Sequence, residues 1–273
     1  QPAKAARYLV SALALLVGRG RIDESMPYLH MLEGLPSRSI AASSEVIRML
    51  LEIAKGYWSA GRISCCAQVC SAGASVARRA MSGYGEWVLE FTTLLARAHA
   101  LAGALDEATE VLSDALRLAG ESSDSRALAR VYYGFCIVSE MAGDFVGLEK
   151  YSRLCLAEAE RDSSSQLLHV AHSARGNAKL ALCEWEAARE HLSKSAELEL
   201  AASDVRALAI TYGNLGRAHL YLGEWEEASE YFERSIAVAR GIGSSYTMAL
   251  SLANSALLWT RRGVVNEAAR RFR

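Results

Sequence analysis

Residues 204–245 read DVRALAITYGNLGRAHLYLGEWEEASEYFERSIAVARGIGSS, and this stretch decides the fold of the chain. Its first half carries apolar and ring side chains at the spacing of one buried helix face: Leu208, Tyr212, Leu215 and His219. A second face of the same period follows Gly223: Trp225, Ala228, Phe232 and Ser235. Two helices joined by a tight turn cannot bury both faces alone, whereas stacked copies can.

The two faces suit close packing between helices. Large and small side chains alternate after the turn, so that facing helices can interdigitate. We therefore expect Trp225 and Phe232 to lie in the core, on either side of Ala228. Gly216 lies on the buried side of the first helix, where the missing side chain lets a neighbouring helix approach.

The turn at residue 223 recurs along the chain with a steady period. Turn positions fall at residues 20, 61, 103, 143, 183, 223 and 263, in steps of 40 to 42 residues, and all are glycine except Cys183. A second set of markers stands 40 residues apart where each first helix needs an N-cap: Asp124, Ser164, Asp204 and Ser244. The sequence thus predicts one array over residues 1–273, with helices of about 16–18 residues.

The signature residues of the unit resemble the tetratricopeptide repeat family. The matching positions are Tyr212, Leu215, Gly216, Gly223, Trp225, Ala228 and Phe232. The resemblance implies an all-α, right-handed α-solenoid of about six and a half antiparallel two-helix repeats. Repeats this long are similar to the sensor regions of bacterial signal-transduction ATPases and maltose-activator-type transcription regulators. They are also similar to the Leu-Gly-Asn repeat proteins.

Composition argues against several functions. The 30 basic and 31 acidic residues leave a net charge of −1, which gives no field to gather phosphates, so we expect no direct nucleic-acid contact. One basic cluster is interpreted as a solvated edge or as helix-end charge: Arg261, Arg262, Arg270, Arg271 and Arg273. Free thiols favour a reducing compartment, so the predicted location is cytoplasmic.

Cysteines and histidines fall on packing positions of the repeat. Cys136 and Cys183 replace glycines of the unit, and Cys155 replaces its small residue at 235. The cysteines near residue 66 lack the spacing of a zinc site. His172 stands at the position of Tyr212, one period earlier. We therefore predict no metal, no cofactor and no enzymatic activity.

The two ends of the sequence are apolar. The segment from Ala5 to Val17 has basic residues before an apolar run, as a signal peptide has, but its position matches the first helix of a repeat. It is also shorter than the ~20 residues that span a bilayer. Solenoids normally end in polar caps, so we expect a piece of a longer protein, and self-association through the terminal helices is an alternative.

The resemblance implies a binding site on the concave face, which the first helices line. Carried over residue by residue, the ligand-facing positions are Arg97, Arg130, Tyr133, Asn177, Arg217, Val170, Ile210 and Leu250. Asn177 and Asn214 match the two asparagines with which some members clamp a C-terminal carboxylate. Ser173 and Leu250 stand where that clamp needs lysines.

Three functions follow from this surface. The leading one is a protein- or peptide-binding scaffold, as the sensing region of a larger bacterial signalling or transcription-regulating protein. An effector in an apolar groove around Ser173, Gly213 and Ala253 is one alternative, and a self-association module is another. In one interpretation the arginines bind the partner; in the other they are solvated or pair with Glu90 and Glu140, and the aliphatic residues only pack the long helices against each other. In the first case, charge reversal at Arg130 and Arg217 weakens binding and leaves the fold intact.

Overall fold

The computed structural model describes residues 2–33, 44–80, 85–122, 124–162, 165–264 and 269 of the chain. Thirteen helices and no strand occur in these ranges. The helices are α1 (Pro2–Gly18), α2 (Ile22–Glu33), α3 (Ser44–Ser59), α4 (Ile63–Ala80), α5 (Glu86–Leu101), α6 (Leu105–Ser122), α7 (Ser125–Ala142), α8 (Phe145–Asp162), α9 (Ser165–Ala181), α10 (Trp185–Ala202), α11 (Val205–Leu222), α12 (Trp225–Gly241) and α13 (Ser245–Arg261). Odd-numbered helices are the first helices of their repeats, and even-numbered helices are the second helices.

The predicted turn positions end the first helices in the same backbone conformation. The glycines at these positions have φ between 69° and 81°, and Cys183 has φ 61°. At Gly223 the backbone N–H of Glu224 donates to the carbonyl of His219 at 3.0 Å, which closes a Schellman cap. A left-handed residue therefore follows the end of each first helix, so the 40-residue period of the turn positions is a period of helix ends, as the sequence predicts.

The helices form two compact units, residues 1–142 and 143–273. In the first unit α3 packs against α1, α4 and α5, and α5 packs against α6 and α7. In the second unit α10 packs between α9 and α11, and α12 packs between α11 and α13. Each unit is therefore a stack in which a helix meets its near neighbours. The expectation of one array over residues 1–273 stays a prediction.

Close approach at the first-helix glycines is confirmed. A Cβ placed on Gly216 would lie 2.5 Å from the ring of Phe232, which is fully buried. One period earlier, a Cβ on Gly176 would lie 2.6 Å from Leu192, also fully buried. The same glycine-to-large-residue contact thus recurs 40 residues apart, as stacked copies of one unit require.

The expectation that Trp225 lies in the core is wrong. Trp225 is the first residue of α12 and is 37% exposed. Its counterpart Trp185 stacks on Tyr221, with ring centroids 4.4 Å apart. Trp225 instead meets the guanidinium of Arg262, 5.7 Å from the ring centroid. One period after Tyr221, the last residue of α13 is Arg261, so the aromatic residue that stacks on Trp185 has no aromatic counterpart at this position.

Two of the predicted N-caps are confirmed and one is not. The Asp124 carboxylate accepts from the backbone N–H of Ala127 at 3.2 Å, and that of Asp204 accepts from Ala207 at 3.0 Å. Ser244 precedes α13 without capping it, because its hydroxyl bonds to the Thr247 hydroxyl at 3.0 Å. Ser164 lies outside the described residues.

The apolar segment near the start of the chain is the first helix of a repeat. It lies within α1, which packs against α2 and α3 and buries Leu13 completely. The cysteines also follow the packing interpretation, except at the turn: five of the six are buried, and Cys183 is exposed. Burial raises the pKa of Cys155 to about 12, so that thiol stays neutral.

Cys183→Gly is expected to stabilise the second unit by about 1 kcal/mol. An L side chain in the left-handed region costs roughly 1–2 kcal/mol, and the larger conformational entropy that glycine loses on folding offsets part of the gain. The exposed thiol contributes no packing to lose. Urea unfolding measures the difference. Cys183→Ser keeps the backbone conformation and should bring no gain. Gly223→Ala should destabilise, although its Cβ would meet nothing within 4 Å. A glycine variant no more stable than the serine variant would contradict this account.

Candidate binding surfaces

Charged side chains connect three successive first helices of the first unit. Glu90 in α5 accepts from Arg130 in α7 at 3.0 Å and pairs with Lys55 in α3 at 3.4 Å. Arg97 in α5 lies 4.4 Å from the ring centroid of Trp58 in α3. Pairing of Arg130 with Glu90, one of the two alternatives for the arginines, is confirmed. Both arginines therefore connect neighbouring repeats.

The ion pair between Arg130 and Glu90 affects the expected result of charge reversal at Arg130. The Arg130 side chain is only 17% exposed. Reversing its charge would place two carboxylates together in a partly buried position, where removing a partner is costly. Because this side chain is part of the packing between α5 and α7, we now expect reversal at Arg130 to lower the stability of the first unit instead of leaving the fold intact.

Amide side chains connect the first helices of the second unit. Asn214 in α11 donates its Nδ2 to Oδ1 of Asn177 in α9 at 2.8 Å. Arg217 Nη1 lies 3.4 Å from Asn214 Oδ1, which is a long and weak contact. Arg217 forms no ion pair with any described residue and is half-buried. Its guanidinium and the Asn177 amide nitrogen therefore keep donors that a ligand can use.

Apolar side chains lie on the same first helices. Val170 in α9 and Ile210 in α11 are half-buried, and Leu250 in α13 is 46% exposed. Ile210 lies two turns before Arg217, so the two side chains share one face of α11. This surface, which carries Asn177, Arg217, Ile210 and Leu250, is called the first-helix face of the second unit below.

Gly213 does not leave room in a groove. It is buried, and a Cβ on it would lie 3.1 Å from Ser251 Oγ in α13. Ser235 Oγ lies 2.7 Å from the same hydroxyl and donates to the Ala209 carbonyl at 2.6 Å. The expected small-residue groove is therefore wrong at this residue, where the missing side chain serves helix packing. Ser173 is half-buried and Ala253 is exposed.

The predicted site residues divide between the two units. Arg97, Arg130 and the half-buried Tyr133 belong to the first unit, and the other predicted residues belong to the second. The structure brings Asn177 and Arg217 together through Asn214. The wider concave site, with all its predicted residues, stays a prediction.

A buried carboxyl group was missed by the analysis of the sequence. Glu199 in α10 is 1% exposed, and its Oε1 lies 2.9 Å from the hydroxyls of Ser195 and Thr211. Its Oε2 is buried and has no hydrogen-bond partner among the described residues. Burial raises the pKa of Glu199 to about 7 against the hydrogen bonds that favour its charged form. One signal was available, because the positions one period away on either side hold alanines: Ala159 and Ala239.

The hydrogens around Glu199 fit a neutral acid. Ser195 has one hydroxyl hydrogen, and its oxygen lies 2.8 Å from the His169 carbonyl and 2.9 Å from Glu199 Oε1. It cannot donate to both. A protonated Glu199 can donate from Oε1 to Ser195 while Ser195 donates to the His169 carbonyl, which leaves Oε2 as the carboxyl oxygen without a partner among the described residues. Below about pH 7 the Glu199 carboxyl group therefore keeps its proton in the interior of the second unit.

A histidine pair lies nearby between α9 and α10. Nδ1 of His172 and Nδ1 of His191 are 3.1 Å apart. Burial, the positive charge of the partner ring and Lys194 lower the pKa of His172, and burial with Arg175 nearby lowers that of His191. Neutral rings share one N–H between them at this distance. His172 is thus a packing residue, as its repeat position predicts.

Within the described ranges, no three histidine, cysteine or acidic side chains come close enough to hold a metal ion. In the same ranges, no helix is both long and apolar enough to cross a membrane. In the basic cluster, Arg261 lies over Tyr221 and Arg262 over Trp259, at 4.9 and 5.1 Å from the ring centroids. The remaining arginines of that cluster lie outside the described residues.

Family models match two parts of the chain. Residues 167–241 match the model described as tetratricopeptide repeat, and residues 81–142 match the model described as anaphase-promoting complex subunit 5. No curated protein matches the chain in sequence. The tetratricopeptide match covers α10, α11 and α12 and nearly all of α9.

Solved structures match the fold at low identity. A Rap protein complexed with Competence and Sporulation Factor aligns with a TM-score of 0.60 and 12% identity, over 98% of this chain and 74% of that chain. BtubC (BKLC) from P. vanneervenii aligns with a TM-score of 0.56 and 15% identity, over 82% of this chain and 87% of its own.

A third similar structure is that of a protein with a tetratricopeptide repeat sensor. The signal transduction ATPase with numerous domains from Pyrococcus horikoshii, which has a tetratricopeptide repeat sensor, aligns with a TM-score of 0.55 and 15% identity. The alignment covers 97% of this chain and 40% of that one. These matches show a shared fold. Together with the family model they confirm the predicted class, an all-α solenoid of tetratricopeptide-type repeats.

Proposed function

We propose that the chain is a protein- or peptide-binding scaffold and that the first-helix face of the second unit holds the partner. The observation that carries the proposal is Arg217, a half-buried arginine without an ion pair among the described residues, beside the amide of Asn177. A guanidinium binds a carboxylate through two parallel hydrogen bonds. Ile210, two turns before Arg217 in α11, and the exposed Leu250 in α13 supply apolar surface on the same set of first helices.

The chemistry of this face defines the partner class. A segment with a carboxylate at one end and aliphatic side chains at the other satisfies both halves, as an extended peptide or an amphipathic helix. Stacked repeats suit such partners, because they present a continuous surface that no single repeat has. In the first unit Arg130 pairs with Glu90 and Arg97 lies over the Trp58 ring, so the proposed site is centred on Arg217 in the second unit.

The larger setting is a proposal as well. The similar structures include a signal transduction ATPase with a tetratricopeptide repeat sensor and a Rap protein complexed with Competence and Sporulation Factor. They support a role for this chain as the regulatory region of a larger cytoplasmic signalling or transcription-regulating protein. A non-catalytic role, the effector alternative and self-association also stay predictions.

Arg217→Glu is expected to weaken peptide binding about tenfold or more, which equals about 1.4 kcal/mol. The probe is a set of random peptides displayed on phage and selected on the wild-type chain, then synthesised with a fluorescent label. Fluorescence anisotropy measures their affinities. The reversal removes the bidentate donor and repels a carboxylate.

The control is Arg240→Glu, which reverses an exposed arginine on the second helix of the same repeat. It should leave affinity unchanged, and both variants should keep the wild-type unfolding midpoint. Equal affinity of the selected peptides for wild type and Arg217→Glu would place the site elsewhere on the chain.

A further inference from the structure

The exposed face of α8 departs from that of three other second helices, α6, α10 and α12. In α6, α10 and α12 the second and sixth residues are exposed acids: Asp106 and Glu110, Glu186 and Glu190, Glu226 and Glu230. In α8 the same two positions hold Val146 and Lys150. Val146 is 81% exposed. An aliphatic and a cationic residue therefore stand where three other repeats carry carboxylates.

The departure continues along the helix and forms a concave surface. Val146, Lys150, Arg153, Leu154 and Ala157 recur at three- and four-residue steps, so they share one face of α8. Together with Glu149 they line a surface cavity of about 550 Å³. From Val146 to Ala157 this face is roughly 16 Å long, enough to meet about three turns of a helix. We call it the α8 face.

The charge of the α8 face is positive. Glu149 is its acidic residue, and Arg175 in α9 neutralises it through two hydrogen bonds of 2.5 and 2.9 Å. The Arg175 guanidinium holds the pKa of Glu149 below its usual range. Lys150 and Arg153 are exposed, and neither forms an ion pair with a described residue. Two cations are therefore available beside Val146 and Leu154.

From this arrangement we propose that the α8 face is a second docking surface, which binds an acidic amphipathic helix of a partner protein. Carboxylates of the partner pair with Lys150 and Arg153, and its aliphatic side chains enter the cavity beside Val146 and Leu154. Charge complementarity selects the acidic partner, and the exposed aliphatic residues require an apolar stripe on it.

A second copy of this chain fits the face less well. The exposed faces of α6, α10 and α12 supply carboxylates, but their corresponding positions carry no aliphatic residue to meet Val146 and Leu154. A homotypic contact would leave the apolar part of the cavity against charged groups. The proposal is independent of Arg217, because the α8 face lies on a second helix and shares no residue with the first-helix face.

The test replaces the departing residues with those of the other repeats. Val146→Glu with Lys150→Glu gives α8 the acids that stand at Glu186 and Glu190, so the repeat frame predicts that the variant folds. Displayed random peptides of about 16 residues, long enough for some four helical turns, are selected on the wild-type chain and counter-selected on this variant. We expect the retained peptides to carry Asp or Glu together with Leu or Ile at helical spacing.

Synthetic peptides from this selection should bind the double variant about tenfold or more weakly than wild type. Lys194→Glu, a lysine reversal on the exposed face of α10, is the matched control and should change affinity by less than about twofold. Arg217→Glu should also leave these peptides bound, which separates this surface from the first-helix face.

Three outcomes would overturn the proposal. The first is that the counter-selection retains no peptide, or only peptides without acidic residues. The second is that the retained peptides bind wild type and the double variant equally. The third is that wild type forms a dimer on sedimentation which the double variant abolishes, since the occupant would then be a second copy.

Discussion

Phe232→Ala is expected to lower the free energy of unfolding by about 3–5 kcal/mol, the range for deleting a buried aromatic side chain that leaves a cavity. Phe232 is fully buried and fills the space that Gly216 leaves in α11. Each repeat is supported only by its neighbours, so the loss should spread to the adjoining helices of the second unit. Urea unfolding followed by circular dichroism measures it.

Trp225→Ala is the matched control for Phe232, because both are large aromatics of α12. Trp225 is 37% exposed at the first position of the helix. Its replacement by alanine should lower the free energy of unfolding by about 1–2 kcal/mol, in proportion to the area that the ring buries. The larger loss at Trp225 would show that the faces of α12 are reversed and that the assigned core is wrong.

The contribution of Glu199 to the free energy of unfolding is expected to fall by about 3 kcal/mol as the pH rises from about 4.5 to 7. The unfolded chain loses this proton near pH 4.5, while the folded chain keeps it up to about pH 7, where burial has raised the pKa. The folded state binds more protons across that window, so raising the pH favours unfolding. Above pH 7 both states are ionised and the contribution is constant.

Glu199→Gln should remove this part of the pH dependence, since an amide of the same shape cannot ionise. His172 and His191 have lowered pKa values and act in the opposite direction, so the informative quantity is the difference between variant and wild type. Glu197→Gln, at an exposed position of the same helix, should keep the wild-type slope. A Glu199→Gln variant with the wild-type slope would mean that Glu199 is already ionised at pH 5.

The sequence was sufficient for the frame of the fold. The turn positions could be predicted because a left-handed backbone conformation favours glycine whatever the neighbouring repeats are. Gly216 could be predicted because the close approach of Phe232 leaves no room for a side chain. The cap at Asp204 is equally local, since its carboxylate bonds three residues ahead. Features fixed within one repeat could therefore be predicted.

Features that depend on the next repeat could not be predicted. Whether Trp225 is covered depends on Arg262, and whether Arg130 is available to a ligand depends on Glu90 in the preceding first helix. Glu199 was missed because apolar periodicity counts a glutamate as exposed, whereas Ser195 and Thr211 from two helices receive it in the core. Of the candidate site, the sequence predicted the residue types but not their partners.

Hydrogen–deuterium exchange with the tightest peptide of the Arg217-sensitive set tests the central claim, binding on the first-helix face, most directly. If the peptide binds there, exchange of the backbone amides should slow in α9 and α11, residues 165–181 and 205–222, and stay unchanged in α10 and α12. Protection confined to α10 and α12, with α9 and α11 exchanging as in the free chain, would contradict this claim.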